Sequence, residues 1–216
     1  MNKTLDFLAG IKILEEVESP INGKLTVVRD LLYGVYIKGG GLPQSGGLAE
    51  KIWKITLKKI QKDLKVKKCL IVGMGGGGIA KLVRQYWPDS EIIGVDVDLV
   101  MVDLGRKYLN LDKTGAKVVI ADAYEYMANV TKNSEKWDLV CVDVYVERSV
   151  PKKFETEDFI KLIKKALTID GTAIFNRLYG KEDKEAAENL HRKLIHIFKK
   201  VRPVYPEANV MYVCLV

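Results

Sequence analysis

The sequence is poor in the residues on which several chemistries depend. Its two histidines, His191 and His196, share one helical stretch near the end, so neither a histidine-based metal site nor a catalytic dyad is expected, and no metal is assigned. The three cysteines, Cys69, Cys141 and Cys214, each lie inside an apolar, strand-like run without metal-ligand spacing. They read as reduced, buried, small hydrophobes. No apolar run approaches the roughly 20 residues of a membrane-spanning helix, so no membrane partner is expected. The opening residues, Met1 to Asp6, lack a signal-peptide pattern, which predicts an intracellular, cytoplasmic protein. There is no internal repeat, low-complexity linker or Arg-rich arm. The formal net charge is +7, but its lysines are spread over helix faces, as in Lys58-Lys59, Lys164-Lys165 and Lys199-Lys200. That pattern reads as a solvated surface and leaves a nucleic-acid partner open but unsupported.

What the chain does have is a core and an ordered alternation. With 216 residues, 48% of them hydrophobic and 29% charged, it can build one sizeable core plus a small appendage. Residues 11–38 read as a small β-meander: Lys12 to Glu18, a turn at Ser19 to Gly23 with Asn-Gly chemistry, Leu25 to Val28, and Val35 to Ile37. A glycine-rich loop is predicted from Gly39 to Gly47. The expected division is an N-terminal extension over 1–47 and a main domain over 48–216. In the main domain, Leu48 to Leu64 is helical by the spacing of Trp53, Leu57, Ile60 and Leu64. Strands are then predicted at 68–73, 91–96, 117–121, 138–143 and 172–176, with helices at 77–86, 99–109, 123–130, 155–167 and 182–199. Such alternation gives a parallel sheet covered on both faces. After the last helix, Val201 to Tyr205 and Val210 to Val216 are separated only by a short turn, so they must run antiparallel. The expectation is an α/β, Rossmann-like, doubly wound, seven-stranded sheet ending in an antiparallel hairpin.

Four strand ends carry the candidate chemistry. Cys69 to Val72 runs into Gly73-Met74-Gly75-Gly76-Gly77-Gly78 and a helix. Glycines there allow positive φ and close backbone approach, and the helix N-terminus offers free N–H groups. Asp96 ends the next strand, a position suited to accepting hydrogen bonds from both ribose hydroxyls of an adenine nucleoside; Asp98 is better placed to cap the following helix. Asp122 ends a third strand, where it could accept from an adenine amino group while the Ala123 N–H meets a ring nitrogen; a helix-cap role is compatible with this. Asp143 ends the strand beside the glycine turn. Ligands of open α/β sheets bind at these carboxyl ends, so Gly73, Gly75, Gly77, Asp96, Asp122, Ala123 and Asp143 should line one crevice. A purely structural Asp143, paired with a backbone N–H or a lysine, is the competing reading.

From about residue 11 to 178, these residues in this order resemble the spermidine synthase family, including a loop with Gln44. The stretch Asp143-Val144-Tyr145-Val146-Glu147-Arg148-Ser149-Val150-Pro151, followed by Phe154-Glu155-Thr156-Glu157-Asp158-Phe159, resembles its divergent, synthase-like branch. The terminal hairpin is that of class I methyltransferase-type domains. The resemblance implies S-adenosylmethionine or its decarboxylated form as donor, Asp143 as the group that orients or deprotonates an attacking amine, and an open option of a homodimer. The departures are specific. Gly76 stands where aminopropyltransferases carry an acid that faces the amino group of the decarboxylated donor. Val146 stands where they carry a second acid followed by proline. Trp53 and Lys54 fall where a tyrosine and a polar neighbour are expected. These departures make an S-adenosylmethionine-dependent methyltransferase of unknown acceptor the favoured expectation. The alternatives are polyamine aminopropyl transfer and, from another class, a non-catalytic nucleotide-binding or scaffold protein; a nicotinamide oxidoreductase is disfavoured by the hairpin. Asp143 is the expected catalytic group, with Gln44, Tyr145, Glu147 and Asn176 as expected pocket-lining groups for a small-molecule acceptor.

Overall fold

A computed structural model describes residues 10–216. The N-terminal part is a four-stranded antiparallel sheet of β1 (Lys12–Ser19), β2 (Gly23–Asp30), β3 (Gly34–Gly39) and β4 (Leu42–Gly46), in that order. The glycine-rich loop predicted over 39–47 is therefore largely a strand. Only Gly40 and Gly41, both at positive φ, make the turn into it. Its composition hid it, because Pro43 and flanking glycines read as a loop, whereas pairing to β3 from Tyr36↔Gly46 to Gly39↔Leu42 satisfies its backbone.

The main sheet has seven strands: β5 (Lys68–Val72), β6 (Glu91–Asp96), β7 (Lys117–Ile120), β8 (Trp137–Val142), β9 (Leu167–Leu178), β10 (Lys200–Val204) and β11 (Asn209–Leu215). Their order is β10-β11-β9-β8-β5-β6-β7. The pairs from β7 to β9 are parallel, and β11 runs antiparallel to both β9 and β10, as the short Tyr205-to-Ala208 connection requires. The six α-helices among the described residues are α1 (Gly47–Ile60), α2 (Gly78–Tyr86), α3 (Leu99–Leu109), α4 (Ala123–Lys132), α5 (Glu157–Ala166) and α6 (Lys184–Ile197). None is long and apolar enough to cross a membrane.

Each face of the sheet carries its own core. Met127 of α4, Phe159 and Ile163 of α5 and Leu190 of α6 pack over Val72, Val140 and Phe175. On the other side Trp53 and Leu57 of α1 and Leu82 of α2 cover Cys69, Ile71 and Cys141. The small sheet docks on α3, where Leu25, Val27 and Ile37 meet Met101 and Leu104. Helices on both faces explain why the parallel strands are apolar along their whole length. β5 lies between β6 and β8, so strand order reverses beside it, and the carboxyl ends of these strands open onto a crevice.

Candidate active site

A cavity of about 370 Å³ occupies that crevice. Its floor is set by a close contact between two chain segments. Gly73 has φ +92, and a Cβ on it would lie 2.2 Å from the carbonyl oxygen of Asp143. The Asp143 N–H in turn donates to the Val72 carbonyl at 2.8 Å. Only glycine lets the turn leave β5 so close to the end of β8. Gly75, at φ +53, also lines the cavity, and its N–H donates to Asp96 Oδ2 at 2.7 Å. Gly77 caps α2 at φ +91 but faces Leu111 and does not line the cavity.

Gly76 corrects one sequence-based argument. A Cβ there would meet Leu109 Cδ1 at 2.7 Å, Ser45 Oγ at 2.8 Å and Ile37 Cδ1 at 3.1 Å, and the residue does not line the cavity. Its N–H donates to Ser45 Oγ at 2.9 Å. The missing acid at position 76 thus has a packing reason of its own, the side chains of β3, β4 and α3 that close around it.

Three aspartates stand around the cavity. Asp96 accepts from Gly75 N–H and, through Oδ1, from Asp98 N–H at 2.9 Å. Burial pushes its carboxyl above the usual range, against those backbone donors. Asp122 caps α4 by accepting from Tyr124 N–H at 2.9 Å and Glu125 N–H at 3.2 Å, and its Oδ2 pairs with Lys153. Burial raises its carboxyl, but Lys153 and the two N–H groups outweigh that and hold it below its ordinary value. Ala123 lies beside it on the cavity wall.

Asp143 is the third acid, open to the cavity yet enclosed by protein. Its Oδ2 accepts from the Trp53 indole N–H at 2.6 Å and its Oδ1 from the Asn176 amide at 2.7 Å. Burial raises its carboxyl, opposed by these two donors and by the positive charge of Arg177. Both donors are neutral, and no salt bridge to Asp143 is formed among the described residues.

The other expected pocket groups divide. Gln44 and Tyr145 line the cavity. The Gln44 amide donates to the Gly39 carbonyl at 3.2 Å and to the Glu147 carbonyl, and the Tyr145 hydroxyl accepts from Leu178 N–H at 2.9 Å. Both side chains thus hold the chain between β8 and α5 in place. Glu147 and Asn176 do not line the cavity. Glu147 is exposed, with its N–H donating to Asn22 Oδ1 at 3.3 Å. Asn176 stands behind Asp143, as its hydrogen bond requires. Trp53, which stands where the family resemblance expects a tyrosine, also lines the cavity, as do Lys153, Glu50, Ser45 and Asn22, which the sequence had not singled out. Trp53 lies on the apolar stripe of α1 and is 1% exposed; the direction of its N–H brings it to Asp143. Of the charged groups on the lining, Glu50, Asp96, Asp122 and Asp143 are acidic and Lys153 is basic, a balance suited to cationic ligands.

Residues 49–213 match the spermine/spermidine synthase domain family. Among curated proteins, the polyamine aminopropyltransferase of Chromobacterium violaceum is 28% identical over 62% of this chain and 49% of its own length. The human eEF1A lysine and N-terminal methyltransferase is 27% identical over 67% of this chain and 22% of its own length. Across four bacterial aminopropyltransferase relatives the share of their length covered runs from 23% to 49%, so this chain spans less than half of each. A crystal structure of spermidine synthase in complex with the transition-state analogue AdoDATO superposes with a TM-score of 0.79 at 21% identity, covering 94% of this chain and 73% of that one.

Proposed function

The chain belongs to the spermine/spermidine synthase domain family, and from that premise we propose that it transfers an aminopropyl group from decarboxylated S-adenosylmethionine to an amine. This replaces the methyl transfer favoured by the sequence. The bacterial relatives are aminopropyltransferases by name, and close packing gives the glycine at position 76 a reason independent of the donor.

The observation that carries the reading is Asp143. An amine is protonated at neutral pH and must lose a proton before it can attack. Asp143 offers a carboxylate raised by burial, held by two neutral donors and open to the cavity. That is a group able to bind an ammonium as its counter-ion and to take its proton. The residues present also fit a nucleoside-type donor. Gly73 and Gly75 bring bare backbone to the cavity where side chains would not fit the turn. Asp96 and Asp122 place acceptors at the ends of β6 and β7, and Ala123 adds an apolar wall. When bound, such a donor supplies a sulfonium-activated carbon open to in-line displacement. The protein's share is to orient the acceptor, exclude water and hold the proton at Asp143.

Methyl transfer to an amine remains the second reading. Its support is Val146, an apolar lining residue where the family resemblance places an acid, together with the methyltransferase relative.

The test supplies the protein with each labelled donor separately and a panel of diamines, polyamines and monoamines. Aminopropyl transfer releases methylthioadenosine and an amine longer by three carbons and a nitrogen. Asp143→Asn should keep donor affinity near wild type and lower turnover by roughly 10²–10⁴-fold. Turnover of intact S-adenosylmethionine alone, giving S-adenosylhomocysteine and a methylated amine, would replace the proposal by the second reading.

A further inference from the structure

Behind Asp143 lies a second tier of hydrogen bonds that does not touch the cavity. Asn209, the first residue of β11, donates through Nδ2 to Asn176 Oδ1 at 2.8 Å. Asn176 then donates to Asp143 at 2.7 Å. Both asparagines are buried. An asparagine amide has one donor end and one acceptor end. With its oxygen taken by Asn209, Asn176 has only its NH₂ to turn toward the carboxylate. The reversed amide would set oxygen against the Asp143 carboxylate and NH₂ against the NH₂ of Asn209, which is unfavourable at both ends.

The hairpin that carries Asn209 is itself fixed. Its N–H donates to the Pro206 carbonyl at 3.1 Å, and it pairs with Leu178 across to β9. Glu207, in the same turn, reaches Lys51 of α1 at 2.6 Å. Two residues on from Lys51, α1 delivers the other donor to Asp143, from Trp53. The terminal hairpin and α1 thus converge on one carboxylate and are tied to each other.

We infer that Asn209 is a positioning residue, which locks the amide of Asn176 donor-first and so keeps Asp143 in the ionised, cavity-facing state that proton acceptance needs. The inference rests on the reading of Asp143 given above. The other groups that face Asp143 are Arg177 of β9, Tyr145 of the following loop and Cys141 of β8. The hydrogen bond of the Asn209 side chain goes to Asn176 and to none of these three groups. Loss of the lock leaves the Asn176 oxygen unpartnered and its amide free to turn, so its NH₂ donates less steadily to the carboxylate, which favours the protonated form.

The experiment needs no substrate. The Trp53 indole N–H is bonded to Asp143, so its ¹H–¹⁵N resonance, assigned with Trp53→Phe, should move with pH as Asp143 titrates. In Asn209→Leu, which fills the space without a donor, and in Asn209→Ala, the inflection should rise by about one pH unit. Asn209→Ser keeps a hydroxyl donor and should fall between them and wild type. Unchanged Trp87 and Trp137 indole resonances report that each variant is folded. An inflection equal to wild type in the folded Leu or Ala variant, or a wild-type resonance that does not titrate, overturns the inference. With a working acceptor, the acid limb of kcat/KM should move by the same amount. An upward inflection in a protein that transfers nothing keeps the positioning role and removes the proposed reaction. A working transferase with equal inflections does the reverse.

Discussion

At the scale of single residues, the site consists of acids whose neighbours set opposite tendencies. Asp122 is shared between a helix cap and Lys153, and is held ionised. Asp96 and Asp143 form no such ion pair among the described residues, and burial raises both. Asp96 accepts from the backbone N–H groups of Gly75 and Asp98, which fixes its carboxylate at the mouth of the glycine turn. Asp96→Ala should therefore weaken donor binding by about 1.5–3 kcal/mol, the scale of charge-assisted hydrogen bonds. Calorimetric titration of the variant checks this; affinity equal to wild type would take Asp96 out of the donor site. The same variant should leave the hydrogen bond between Trp53 and Asp143 untouched, because α1 and β8 do not depend on Asp96 for their contact.

At the scale of elements, the cavity end of the sheet depends on how closely β5 and β8 finish together. Gly73 is the point of contact, with positive φ and the Asp143 carbonyl where a side chain would begin. Gly73→Ala should cost about 1–3 kcal/mol from the left-handed backbone, with the clash against Asp143 added to it. Denaturant unfolding measures the sum. A variant as stable as wild type would show that the turn can move off β8 freely. The stretch from Asp143 to Thr156 behaves as a strap across the cavity. It is held at one end by the Tyr145 hydroxyl on Leu178 and the Glu147 carbonyl on Gln44, and at the other by Lys153 on Asp122 and by Phe154 in the core. These contacts link the Asp143 end of the crevice to the Asp122 end.

At the scale of the whole molecule, the N-terminal sheet is a wall of the site as well as an appendage. Asp98, 1% exposed, accepts from Met101 N–H as the cap of α3, and its other oxygen accepts from Ser19 Oγ at 2.5 Å and Asn22 Nδ2 at 2.6 Å. The β1–β2 turn is thereby pinned to the main domain, and Asn22 is carried to the cavity and to Glu147 N–H. Asp98→Ala removes a cap and strands two buried donors, so stability should fall by about 2–4 kcal/mol. Chemical denaturation tests this, and an unchanged midpoint and slope would show that the apolar contact of Leu25, Val27 and Ile37 with α3 holds the sheet alone.

The sequence by itself determined the doubly covered sheet, its terminal hairpin and the set of strand-end acids. Those features depend on local pattern: apolar runs for buried strands, glycines for the turn, and a link too short for a parallel crossover between β10 and β11. Gly73, Gly75, Asp96, Asp122, Ala123 and Asp143 were legible as cavity-lining positions because each follows or ends a strand at the carboxyl edge, Ala123 as the first residue of the next helix. What only the tertiary structure decided is direction and partnership. Trp53 satisfied the helical stripe of a core residue, and nothing in its spacing told that its N–H would meet an acid 90 positions away. Gly76 sat in the right motif, but the packing of α3 and β4 turns it from the cavity. β4 was hidden by glycine and proline and became a strand only by pairing with β3. Asn209 and Asn176 are 33 residues apart and meet because β11 lies antiparallel to β9. Side-chain hydrogen bonds between distant strands leave no periodic trace in a sequence, since each partner needs only a polar end pointed the right way, and the fold supplies that direction.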